Sequence, residues 1–158
     1  MKIAFIGAGF MGEAIIAALL KQKSARPSEI YACDIDSTRL TAVGKKYKVN
    51  CASDVSKAIG NSDVIVLSVK PQALIAVLKD LKGKLKQGQL VLSIVAGARI
   101  DTIVKGLGHE SVIRVMPNTP AQVGQGMSVW TATSAVTQAQ KEIAQTTLEA
   151  MGEEIYVT

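Results

Sequence analysis

The pattern in this chain that most directly suggests chemistry is Gly7-Ala8-Gly9-Phe10-Met11-Gly12, three glycines in a GxGxxG arrangement. The first glycine frees the backbone for a sharp turn, the second lets an anionic group reach main-chain amides, and the third permits close helix-to-strand packing. A helix starting at such a turn points free N–H groups and partial positive charge outward, which suits a pyrophosphate. A glycine-rich turn also serves packing alone, so the pattern takes its meaning from what flanks it. Asp34 follows Gly12 by 22 residues, the separation at which an acidic side chain ending a second strand accepts hydrogen bonds from an adenosine ribose. Its charge opposes a 2′-phosphate and so points to NAD, while Ser37 and Arg39 leave NADP open. The alternative is an aspartate that only shapes a strand-end turn.

Those residues need a frame. Lys2 to Gly7 reads as a buried strand, and the segment from the glycine turn to Lys23 has helical length and helix formers such as Ala14, Ala17, Leu19 and Leu20. Ser24 to Ser28 punctuates the chain. Glu29 to Asp34 gives a second strand, and Ser37 is placed to cap a helix reaching Lys46. Val49 to Ala52 follows as a strand, then a short helix capped by Ser53 or Asp54 and ending at Gly60, then the β-branched run Asp63 to Val69. Pro71 sits at a first-turn position before a helix from Gln72 to Lys82, and a loop bracketed by Gly83 and Gly88 returns to strand Gln89 to Ile94. A helix Asp101 to Leu107, a strand Ser111 to Val115 and a loop Met116 to Gly126 come next. Strand Met127 to Thr131, helix Thr137 to Met151 and strand Glu154 to Val157 complete the reading, with the direction of the last strands left open. The alternation predicts an α/β fold: a Rossmann-type, doubly wound, mainly parallel sheet with helices on both faces, formed by residues 1–158 as one dinucleotide-binding domain.

Composition agrees with a well-packed core. Apolar residues are 48% and charged residues 20% of the 158, and the mean hydropathy is +0.26, which excludes a disordered chain. The net charge of +5 is divided among Lys21 to Arg26, Lys45-Lys46 and Lys82 to Lys86 without interleaved aromatics, the pattern of a solvated surface and not of a nucleic-acid partner. Cys33 and Cys51 lack CxxC spacing and His109 is the sole histidine, so no metal is expected and the thiols read as reduced, in a cytoplasmic protein. The apolar run from Ile3 to Leu20 is interrupted by Glu13 and three glycines, which argues against a signal peptide or a membrane span.

Three further segments narrow the reading: Val64-Ile65-Val66-Leu67-Ser68-Val69-Lys70-Pro71-Gln72, Ser93-Ile94-Val95-Ala96-Gly97, and Val112-Ile113-Arg114-Val115-Met116-Pro117-Asn118-Thr119-Pro120. In this order they resemble the 1-pyrroline-5-carboxylate reductases, which catalyse the last step of proline synthesis. The resemblance runs from Ile6-Gly7-Ala8-Gly9 to Met151-Gly152. It implies that Ile6, Gly7, Ala8, Gly9, Phe10, Met11 and Gly12 line the cofactor pyrophosphate, and that Ser68, Val69, Lys70 and Pro71 pass beside the cofactor. Val95, Ala96 and Gly97 would approach the nicotinamide ribose and ring, and Asn118 with Thr119 would lie in a loop below the substrate. Plainer readings stand beside these: a solvated Lys70, a simple turn at Ala96-Gly97, a rigid loop from Pro117 to Pro120. Many family members carry Asn, Ser or Arg around the Asp34-Ile35 positions and an asparagine near Val55, and these departures weaken the case for NADP.

The implied reaction is hydride transfer from NADH or NADPH to the C=N carbon of a small-molecule cyclic imine acid. A protonated imine is already electrophilic, so no strong side-chain acid is demanded and no catalytic residue is assigned. The resemblance further implies a helical domain, through which a homo-oligomer assembles, beyond the stretch present here. The isolated chain is accordingly expected to bind dinucleotide while turning over little. Two alternatives remain: a β-hydroxyacid or prephenate-type dehydrogenase sharing the turn, and a non-catalytic, cofactor-sensing or membrane-associated homologue.

Overall fold

The fold is that of a computed structural model, which describes residues 1–117 and 126–158. The first five strands are short segments, too brief for a helix: β1 (Ile3–Ile6), β2 (Ile30–Cys33), β3 (Asn50–Ala52), β4 (Val64–Leu67) and β5 (Leu90–Ser93), all mainly apolar except the edge strand β3. Every residue of β1, β4 and β5 is buried, as required of strands covered on both faces. They are followed by β6 (Val112–Pro117), β7 (Gly126–Ala132) and β8 (Gly152–Tyr156).

The eight strands form one sheet in the order β3-β2-β1-β4-β5-β6-β7-β8. β1 to β6 are mutually parallel, β7 is antiparallel to β6, and β8 is parallel to β7. The expected doubly wound, mainly parallel sheet is therefore present, with two reversed strands at one edge. Helices α1 (Phe10–Lys21), α2 (Ser37–Tyr47) and α6 (Gln138–Glu149) cover one face through Ile15, Ile16, Leu19, Leu40, Val43, Ala144 and Leu148. The other face is covered by α3 (Val55–Gly60), α4 (Leu74–Leu81) and α5 (Ile100–Leu107), using Ile59, Leu74, Leu78, Leu81, Ile103 and Leu107.

Local chemistry sets the boundaries, and in several places they differ from expectation. The cap of α2 is Asp36, one residue before Ser37, because its extended backbone lets Oδ1 accept the Arg39 amide at 3.1 Å. A 3-10 turn, Pro71–Ala73, precedes α4, so that helix starts at Leu74. Met116 and Pro117 belong to β6 and pair with Val129 and Ser128; proline is tolerated there because it ends the strand. Asp54 caps α3 through the Ser56 amide. Thr137 and Gln140 form a reciprocal capping box on α6.

Candidate functional site

Chain direction across the sheet reverses between β1 and β4: from β1 the sheet grows toward β2 and β3, and from β4 toward β5 and β6. The carboxyl ends of strands at such a switch point leave a crevice, the usual ligand position in open α/β sheets. The glycine turn and Ser68 to Pro71 flank it, and both are built by the sheet itself. Gly7 N donates to Cys33 O at 2.8 Å and Ser68 N to Ile6 O at 2.9 Å. The Ser68 hydroxyl donates to Gly7 O at 2.7 Å, tying the end of β4 to the turn.

The three glycines are distinguishable by what a side chain would meet. Gly7 has φ +104°, and a Cβ there would stand 2.6 Å from Ser68 O, so both backbone conformation and space exclude other residues. A Cβ on Gly12 would approach Gly7 O to 2.6 Å and Ser68 Oγ to 2.9 Å. A Cβ on Gly9 would meet nothing within 4 Å among the described residues. Gly9 is therefore not needed for packing; its bare backbone faces open space at the start of α1. Gly9 caps α1 without any side-chain hydrogen bond. Among the described residues the amides of Phe10, Met11 and Gly12 have no acceptor, the first intrahelical bond being Glu13 N to Gly9 O. An open cradle with free N–H groups at a helix start fits a pyrophosphate.

Asp34 lies just past β2, half-buried. Its Oδ2 accepts Ala8 N at 2.7 Å and its Oδ1 accepts Asp36 N at 2.8 Å. The carboxylate thus staples the glycine turn to the start of α2 and keeps one further acceptor direction on each oxygen. Ile35 beside it is fully exposed, and Phe10 is 68% exposed. Cys33, buried at the end of β2, has its thiol pKa raised first by burial and then by the charges of Asp34 and Asp54. Val69 is half-buried, and Lys70 and Pro71 are exposed. Val95 is buried while Ala96 and Gly97 are exposed, with Gly97 at φ +72°. Asn118, Thr119 and Pro120 lie outside the described residues. Ile6 to Gly12, Asp34 and Ser68 are joined directly by the hydrogen bonds above, whereas Val95 to Gly97 follow β5 on the far side of β4.

Three residues near this frame carry roles that the sequence reading missed or left open. Glu13, in the first turn of α1, is paired with Arg39 at 3.0 Å. The Arg39 side chain, left open as a phosphate ligand, donates from Nε to Ala8 O at 2.7 Å. Arg114, at the centre of β6 between Ser93 and Thr131, has a buried Nε with no hydrogen-bond partner among the described residues. A lone basic residue inside an apolar strand run was the available signal for it. His109 is engaged structurally, its Nε2 lying 2.7 Å from Gln89 O. No cluster of potential metal ligands occurs among the described residues, and no helix among them is long and apolar enough to cross a membrane.

A doubly wound sheet with an open, amide-lined glycine turn at its switch point defines the dinucleotide-binding domain of an oxidoreductase. Residues 2–97 match the family model described as NADP oxidoreductase coenzyme F420-dependent. The chain belongs to that family and is a homologue of the pyrroline-5-carboxylate reductases. It is 38% identical over 157 residues to the pyrroline-5-carboxylate reductase of Synechocystis, a match covering 99% of this chain and 58% of the relative. The Escherichia coli enzyme is 36% identical over 137 residues, covering 86% of this chain and 51% of the relative. The chain therefore spans little more than half the length of these relatives. Among solved structures, a pyrroline-5-carboxylate reductase from Coxiella burnetii superposes with a TM-score of 0.94 at 33% identity, over 99% of this chain and 58% of that one. A prephenate dehydrogenase from Aquifex aeolicus superposes at 0.83 with 16% identity, over 100% of this chain and 60% of that one. That second likeness is one of fold.

Proposed function

We propose that this chain is the cofactor-binding portion of a reductase that converts 1-pyrroline-5-carboxylate to L-proline, with NADH preferred over NADPH. The observation that carries the reading is the Gly9 cradle. It is the one glycine of the turn that packing does not require, and it faces the unpaired α1 amides in a chain homologous to these reductases over 99% of its length.

Gly7 to Gly12 would hold the pyrophosphate, with Ile6 beneath them. The free acceptor directions of Asp34 would receive the adenosine ribose hydroxyls, and this preference for an uncharged ribose is the basis for NADH. Ser68, Val69, Lys70 and Pro71 would border the cofactor, Val95, Ala96 and Gly97 its nicotinamide end, and Asn118 the substrate side. When bound, the cofactor supplies the hydride delivered to the imine carbon. The chain's own contribution is orientation: the Ser68 and Asp34 bonds fix the turn before ligand arrives, so little ordering is left for binding. The cyclic imine is the proposed small-molecule substrate. Its carboxylate contacts, and the contacts of a homo-oligomer, are assigned to the further length that the relatives possess, in a cytoplasmic enzyme. No residue of this chain is assigned an acid or base role.

The reading is tested by calorimetric titration of the chain with NADH and with NADPH, followed by incubation with reduced cofactor and 1-pyrroline-5-carboxylate while proline is measured by mass spectrometry. Binding of both, tighter for NADH and with little proline formed, is the expected result. Absence of binding to either dinucleotide overturns it.

A further inference from the structure

The charges behind the glycine turn form a network that pyrophosphate binding does not call for. Glu13 Oε1 lies 3.0 Å from Arg39 Nη2. Its Oε2 lies 3.7 Å from Lys46 Nζ and accepts the Tyr47 hydroxyl at 3.1 Å. Arg39 is held at a second edge, where Nε donates to Ala8 O at 2.7 Å, and its side chain remains 35% accessible. Ala8 is the residue whose amide Asp34 accepts. One residue of the turn therefore carries the aspartate on its N–H and the guanidinium on its carbonyl. A carboxylate in the first turn of α1 is explained by the helix dipole, and Tyr47 by the packing of α1 on α2. Neither explains a guanidinium fixed against the turn backbone and facing a second carboxylate.

We infer that Glu13 is a specificity-determining positioning residue: it holds and neutralises Arg39 beside Asp34, and so sets the adenosine end of the site for a ribose without a 2′-phosphate. The inference rests on the dinucleotide-binding reading above. A guanidinium near the end of β2 is the group best suited to a phosphate, since its planar fork donates to two oxygens at once. Here two of its donors are spent, and its charge is opposed by Glu13. Asp34 and Asp36 bring two carboxylates to the end of β2, and Glu13 offsets the charge of Arg39 beside them. A 2′-phosphate brings close to two negative charges more. Glu13→Gln keeps the side-chain length and an acceptor for the Tyr47 hydroxyl, and removes the charge that opposes Arg39. The guanidinium is then free to pair with a phosphate while its Nε stays on Ala8 O.

The test is titration of the unmodified chain and of Glu13→Gln with NADH and NADPH at low ionic strength, read as the ratio of the two affinities within each protein. The ratio is expected to move toward NADPH by about three- to tenfold, the range of a partly exposed charge-assisted contact. The gain should disappear in the double variant Glu13→Gln/Arg39→Gln and shrink at roughly 0.5 M salt. A general loosening of the turn would weaken both ligands together and leave the ratio in place. Arg39→Gln alone gives a second reading: with its charge already opposed, its loss should change the ratio less than about twofold. An unmoved ratio in Glu13→Gln, a gain surviving in the double variant, or a large fall in NADPH affinity on Arg39→Gln alone each overturns the inference while the dinucleotide reading stands. Failure of the unmodified chain to bind either dinucleotide overturns both.

Discussion

Replacing the three glycines of the turn one at a time separates packing from binding. At Gly12 an alanine methyl meets Gly7 O at 2.6 Å and Ser68 Oγ at 2.9 Å. The first is backbone, so α1 must move away from β1. Overpacking of this kind costs about 1–3 kcal/mol, and at roughly 2–4 °C per kcal/mol for a domain of this size the melting temperature falls by about 2–12 °C. Gly7→Ala adds the strain of φ +104° to a 2.6 Å contact and should be at least as damaging. Gly9→Ala differs: φ is −75°, ψ is −166°, and no atom of the described residues lies within 4 Å of the added methyl. Alanine is a poorer N-cap than glycine by some ~0.5–1 kcal/mol, while its stiffer unfolded chain returns about 0.4–1 kcal/mol. Melting should shift by no more than about 2 °C. The methyl would nevertheless stand where phosphate oxygens must reach the α1 amides. Losing one charge-assisted hydrogen bond, about 1.5–3 kcal/mol, weakens dinucleotide binding by roughly 10- to 100-fold. Scanning calorimetry and titration of the three variants check the pattern. A Gly9→Ala chain that melts normally and binds NADH as tightly as the unmodified chain would refute the placement of the pyrophosphate. A Gly12→Ala chain of undiminished stability would refute the packing argument.

Other perturbations report on the supports of the site. Ser68→Ala removes the hydrogen bond to Gly7 O and should lower stability by about 0.5–1.5 kcal/mol in urea unfolding while weakening NADH and NADPH equally. Glu29, held by the Arg26 amide and the amino terminus, has its pKa lowered to about 2. A depressed carboxylate contributes stability that is present above its unfolded value and is lost as pH falls through about 2. The difference in urea midpoint between the chain and Glu29→Gln should therefore persist at neutral pH and vanish in strong acid. Arg114→Met replaces a guanidinium whose buried Nε has no partner among the described residues with an apolar side chain, and should leave the chain equally stable or more stable by up to about 2 kcal/mol, again read from urea unfolding.

How much of this was legible in the sequence depends on how local each feature is. The run Val64-Ile65-Val66-Leu67 declares a doubly covered strand because it is short, β-branched and without a polar face. Periodicity carries no direction, so the reversal of β7 and β8 could not be read from Met127 to Thr131 or from the last strand. The two prolines and two glycines from Met116 to Gly126 read as a loop, whereas the pairing of Met116 and Pro117 with Val129 and Ser128 is a tertiary event. Ser37 reads as the cap of α2 from its type and place, whereas the extended backbone of Asp36, which a sequence does not display, gives that role to the aspartate. Arg114 is silent until the register sets it between Ser93 and Thr131. The pair of Glu13 with Arg39 lies on two helices whose relative rotation no single sequence reveals. The spacing of Arg39 and Lys46 on one side of α2 was the trace it left.

Asp34 shows why a motif and its geometry must be argued together. Its distance from Gly12 is the one expected of the acidic residue of a ribose site, yet in the folded chain both of its oxygens already accept backbone amides, those of Ala8 and Asp36. The alternatives weighed from the sequence, ribose acceptor or turn-shaping aspartate, are thus not exclusive. The turn-shaping bonds aim the carboxylate and hold the glycine turn to β2, and each oxygen retains an acceptor direction for a hydroxyl donor. The two roles have different costs when lost. Asp34→Asn keeps the size but places an amide N–H₂ against one of two backbone donors, so it should loosen the turn as well as weaken the preference for an uncharged ribose. Arg39 and Glu13 meet the same turn from its other side. On the proposed reading, discrimination between the two dinucleotides belongs to the charge balance across Ala8 and not to Asp34 alone, which is why the ratio of affinities, more than either affinity, is the quantity that reports on it.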